Sequence, residues 1–104
     1  MKLVVSPLAR DYIKSEAAYL RKRSPQAALH FRDDLARLRN NLLQYPHIGH
    51  EAEDLPIAGI RRFVMGVYLV DYEVRRNEIV ILTVRHGQQK PPSLTIDDDF
   101  DYEE

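Results

Sequence analysis

"SPLARDYIKSEAAYLRKRSPQAALHFRDDLARLRNNLLQ", residues 6–44, carries one two-residue signal twice, Ser6-Pro7 and Ser24-Pro25. A serine hydroxyl can accept a bond from the free amide groups that open a helix. A proline at the first helical position gives up no bond the helix would have made. Each pair therefore marks a helix start. Between them Ala9, Ile13, Ala17 and Leu20 recur at helical spacing, and Arg21, Lys22 and Arg23 stand where cations favour a helix C-terminus. After the second pair, Ala28, Phe31, Leu35, Leu38 and Leu42 alternate steps of three and four residues, which puts them on one face. This second helix must stop before Pro46, because the residue preceding a proline is pushed out of helical geometry. A connection this short makes the helices antiparallel neighbours, each with an apolar stripe that something flat must cover.

The rest of the chain supplies the cover. KLVV (2–5) reads as a first strand, and IRRFVM (60–65), VYLVDYEV (67–74) and EIVILTVRH (78–86) are β-branched and aromatic runs. Gly66 and the Arg75-Arg76-Asn77 corner separate the last three, as an antiparallel meander requires, and the segment from Pro46 to Gly59 reads as loop. Tyr68, Val70, Tyr72 and Val74 form one apolar face, with Asp71, Glu73 and Arg75 along the other. In the final run, strict alternation places Val80, Leu82, Val84 and His86 together, on the side expected to face the helices. The fold class is α+β in two layers: an N-terminal strand and an antiparallel helical hairpin packed on a largely antiparallel, twisted sheet of about four strands.

A chain of 104 residues forms one domain, assigned to residues 1–92, with an acidic tail at 93–104. The tail holds six carboxylates, so the formal charge of −1 becomes +5 for residues 1–96. A solvated tail is the expectation, although Ile96, Phe100 and Tyr102 give it apolar handles. No apolar run approaches the roughly 18 residues of a membrane span, and the start lacks a signal-peptide pattern. The absence of cysteine removes thiolate chemistry and the usual zinc sites, and the cytoplasm is the expected compartment.

Chemistry-bearing groups are few. His86 closes a strand and is expected to pack or cap there. Arg61, Arg62, Arg85 and Lys90 could form a basic rim on the open side of the sheet that meets an acidic or phosphate-bearing partner. Equally, they could be solvated charges pairing with Asp71 and Glu73, worth about 0.2–1 kcal/mol each. Arg61 and Arg62 are adjacent in a strand, so only one can face the helices. His47, His50 and Glu51 suggest a metal only weakly, because the segment has no reliable helix and no further ligand nearby. No cofactor fingerprint is present, Ser6 and Ser24 are used as caps, and Tyr68 and Tyr72 read as core.

The ordered set "LLQYPHIG", "LPIAGIRRFVMGVYLVDYEV" and "EIVILTVRHG", behind a strand and a Ser-Pro helix, resembles the RelE/ParE superfamily of bacterial toxins over roughly residues 1–90. The resemblance implies the toxin of a type II toxin-antitoxin pair, of the kind that stabilises plasmids, neutralised by a cognate antitoxin. Its assembly would be a homodimer or a heterotetramer with that antitoxin. Two activities are implied as alternatives, RelE-like cutting of mRNA in the ribosome or ParE-like poisoning of DNA gyrase without catalysis, and a third reading is a degenerate toxin serving as an interaction module. Nuclease members carry an arginine early in the third strand and a tyrosine beside the terminal histidine, where this chain has Val67 or a neighbour, and Gly87. The expectation is therefore the gyrase-directed type with no catalytic residues. The nuclease alternative would rest on Arg61, Arg85 and His86.

Overall fold

The computed structural model describes residues 1–87; Lys90 and the expected tail at 93–104 lie outside the described residues. In chain order the elements are β1 (Lys2–Val5), α1 (Pro7–Arg23), α2 (Pro25–Gln44), β2 (His50–Glu51), β3 (Ile60–Met65), β4 (Tyr68–Val74) and β5 (Glu78–His86). The strands form one sheet in the order β1-β5-β4-β3-β2, with β1 parallel to β5 and the other neighbours antiparallel. Both helices pack on one face, giving the two-layer α+β arrangement expected from sequence. No helix among the described residues is long and apolar enough to cross a membrane.

Both Ser-Pro signals act as read. Ser6 Oγ accepts from Ala9 N–H at 3.1 Å and Ser24 Oγ from Ala27 N–H at 3.2 Å. The stripes then meet the sheet: Ala9 from α1 and Phe31, Leu38 and Leu42 from α2 are buried against Met65, Tyr68, Val70, Tyr72, Ile79, Ile81 and Val84. Full burial of each large aliphatic side chain contributes about 1.5–3 kcal/mol.

The structure corrects the reading of β5. The core takes Ile79, Ile81 and Val84, not Val80, Leu82 and Val84. Asp71 pairs with Thr83 while Tyr72 pairs with Ile81, so Leu82 has no partner on β4 and a bulge reverses the alternation there. His86 still reaches the helix side, opposite Tyr68, but only because it lies beyond the bulge with Val84. Ser6 ties this irregularity to α1: its backbone N–H donates to Ile81 O at 2.9 Å and its hydroxyl to Leu82 O at 2.7 Å. One hydroxyl thus opens a helix and satisfies a carbonyl at the bulge. Ser6→Ala is expected to lower stability by about 1–2 kcal/mol, more than a helix cap alone, measurable by urea denaturation.

A second difference lies in the segment expected to be loop, where His50 pairs with Arg62 and Glu51 with Arg61 to make β2. Gly49 allows that approach. A Cβ at this position would lie 2.6 Å from Arg62 O and 2.9 Å from the Tyr72 ring, so a side chain would hold the segment off the sheet. Tyr72 fixes it from below, accepting from Gly49 N–H at 2.9 Å and donating to Pro46 O at 2.8 Å. The β3–β4 hairpin turns through Gly66 and Val67, and the φ of +62° at Gly66 suits the primed turns that match strand twist.

Candidate functional site

Two groups of polar side chains stand out, on opposite faces of the sheet. On the face away from the helices, Arg62, Asp71 and Thr83 lie in one row across β3, β4 and β5. Asp71 is 1% exposed. It accepts from Arg62 Nε at 2.7 Å and Nη2 at 3.2 Å, a two-pronged pair, and from Thr83 Oγ1 at 3.2 Å. Arg62 Nη1 reaches out to both oxygens of Asp54, at 3.0 and 3.1 Å. These bonds, that to Asp71 foremost, raise the Arg62 pKa above its ordinary value, and the Arg62 bond lowers that of Asp54. In the next row Arg85, 7% exposed, approaches Asp71 at 3.9 Å. Its Nε and Nη2 have no hydrogen-bond partner among the described residues.

On the helix side, α1, α2 and the β3–β4 turn enclose an open hollow of about 1000 Å³. Its floor is aromatic: the Tyr68 ring lies 4.9 Å from Phe31, 6.5 Å from Tyr12 and 5.7 Å from His86, centroid to centroid. Tyr68 donates its hydroxyl to Glu16 Oε2. Burial, then the hydrogen bond and charge of Glu16, push the Tyr68 pKa well above the usual phenol range. Tyr12 is raised by burial and by Glu16, against a backbone hydrogen bond with His86, and Tyr72 is raised by burial. Because the folded chain holds these protons to higher pH than the unfolded chain, stability is unaffected below about pH 10 and falls above it. An ultraviolet pH titration is expected to show late-ionising phenols, and Tyr68→Phe to remove the last of them.

The residues singled out in the sequence are dispersed. Arg62 and Arg85 are brought together over Asp71. Arg61 is on the helix-side face, where its guanidinium donates to Gly49 O and, at 3.4 Å, to His47 O. Arg61, Arg62 and Arg85 therefore do not form one rim, and Lys90 lies outside the described residues. Asp71 and Arg62 do pair across the sheet, and Glu73 pairs with Arg75 at 3.0 Å. Nor do Arg61, Arg85 and His86 converge. Arg85 faces away from the helices, while Arg61 and His86 pair with Tyr72 and Tyr68, four residues or roughly 13 Å apart along β4. His47 and His50 are exposed, and no group of three or more potential ligands among the described residues could hold a metal.

Glu16, Tyr12 and Asp34 were missed by sequence reading. The available signal was Tyr12 and Glu16, four residues apart on α1 and each one position before a core residue, at the edge of the apolar stripe.

These features define a two-layer α+β domain in which Arg61 is bound to loop carbonyls and Arg62 to Asp71 and Asp54. The same fold occurs in a chain of the chromosomal ParDE TA system from P. aeruginosa, with a TM-score of 0.65 and 21% identity over 83% of this chain and 95% of that one. A family model, that of the ParE toxin of the type II toxin-antitoxin system parDE, matches residues 3–91, and the chain belongs to that family. No curated protein sequence matches the chain.

Proposed function

We propose that this chain is a toxin that inhibits DNA gyrase by binding it, without catalysing a reaction of its own, and that a cognate antitoxin neutralises it. The observation that carries the reading is the separation of His86 from Arg61 and Arg85, the two arginines on which cutting would rest. Cutting RNA at a 2′-hydroxyl needs a proton acceptor, a proton donor and a cation over the developing phosphorane charge, within reach of one phosphate. Here Arg85 is on the opposite face, and Arg61 is displaced along the sheet and engaged with loop carbonyls. The hollow that His86 lines has Glu16 and Asp34 among its walls and no Lys or Arg among its described lining residues. A phosphodiester would meet negative charge there.

Membership of the ParE family supports a partner antitoxin and a gyrase target. The preformed sheet and helix pair also suit a protein that works by surface contact. The test is a supercoiling reaction with purified gyrase, relaxed plasmid and ATP. Added at micromolar concentration, the protein is expected to block supercoiling and to leave gyrase trapped on cleaved DNA. Unchanged supercoiling and no trapped complex would contradict the proposal.

A further inference from the structure

We propose that the helix-side hollow is a socket for an arginine side chain, carried on the segment with which the cognate antitoxin docks. This rests on the reading of the chain as a toxin with a protein partner. The described residues hold 14 Lys and Arg against 10 Asp and Glu, a basic body. The hollow reverses that sign, with Glu16 and Asp34 in its walls and no Lys or Arg among its described lining residues.

Neither carboxylate is fully used. Glu16 Oε2 accepts the Tyr68 hydroxyl and Asp34 Oδ1 accepts Arg37, which leaves one oxygen of each to receive a donor. Asp34 Oδ2 lies at the Gly66 turn, 3.4 Å from where a Cβ on that glycine would stand. Tyr12, Tyr68 and Phe31 line the same hollow and supply ring faces and edges to it.

Carboxylates and aromatic rings in one hollow match a guanidinium better than an ammonium. The planar fork takes two oxygens while its face stacks on a ring, and it is less strongly hydrated than a lysine head. At the rim, Arg23 of the chain itself lies 5.3 Å from the centroid of the Tyr19 ring, a lining residue. At about 1000 Å³ and open to solvent, the hollow can admit a side chain together with the backbone that carries it.

The test uses the full chain and N-acetyl-arginine N-methylamide, with the citrulline analogue as a neutral isostere, followed through the ring resonances of Tyr68 and His86 by NMR. The expected result is a saturable shift with the arginine probe and at least tenfold weaker binding of citrulline. The variant Glu16→Gln/Asp34→Asn, whose amides can still accept from Tyr68 and Arg37 and whose fold is checked by its amide spectrum, is expected to lose at least tenfold in affinity. Equal binding of citrulline, undiminished binding by the folded double variant, or no saturable shift at these rings would overturn the proposal. The titration contains neither gyrase nor a partner, so the socket can fail while gyrase inhibition stands, and the reverse.

Discussion

Asp71→Ala is expected to destabilise the protein by about 3–5 kcal/mol, because it removes the carboxylate from between two guanidiniums in the sheet. Arg62 would keep only exposed Asp54, and Arg85 would lose the counter-charge that stands 3.9 Å from it. Taking one partner from a buried ion pair leaves the full desolvation penalty of the other, which exceeds the net worth of the pair itself. Removing the charges together is a different matter. Arg62→Met/Asp71→Leu/Arg85→Met is expected to cost less than the single change, since no buried charge is left uncompensated. Urea denaturation of both variants checks this, and a loss below about 1 kcal/mol for Asp71→Ala would mean that water reaches the arginines freely.

Tyr72→Ala is expected to cost about as much, roughly 3–5 kcal/mol, for a different reason. Tyr72 is 0% exposed and the largest of the fully buried side chains, so its loss leaves a cavity beneath the helices. It also releases Gly49 N–H and Pro46 O, leaving Arg61 to hold the 46–49 segment through Gly49 O and His47 O. Tyr72→Phe separates the effects: the ring remains, both hydrogen bonds go, and about 1–3 kcal/mol is expected. Hydrogen exchange should then be accelerated at Gly49 and the β2 strand while the helices stay protected. Uniform acceleration would show that the phenol hydroxyl supports the whole core rather than one segment.

The helices were legible because every level of their sequence agreed: serine caps, proline at the first position and apolar steps of three and four. The strands were legible as runs, but facing was not, because strict alternation assumes an unbroken ladder. A bulge at Leu82 is not marked by alternation in Ile79–Val84, where residues of both parities are mostly apolar. The short strand β2 escaped for a related reason, since two exposed polar residues, His50 and Glu51, become a strand only through the bare Gly49 and the reach of Tyr72.

Motif glycines that carried the family resemblance have structural explanations here. Gly49 permits close approach to β3, and Gly87 donates its N–H to Val67 O at 2.7 Å beside the hairpin turn. The hollow on the helix side was the least legible feature. Glu16 and Asp34 are ordinary helix-surface acids in the sequence, and only the folding of the β3–β4 turn against α1 and α2 brings them to one cavity.

Whether harm is done by contact or by cutting is decided most directly on ribosomes. Purified protein is added to a reconstituted translation reaction, and the 5′ ends of the mRNA are mapped. No new ends above background are expected, at concentrations where the same preparation arrests gyrase. Cuts that require the ribosome, fall at the codon being decoded and disappear in His86→Gln would contradict the separation of His86 from its arginines as the basis of function.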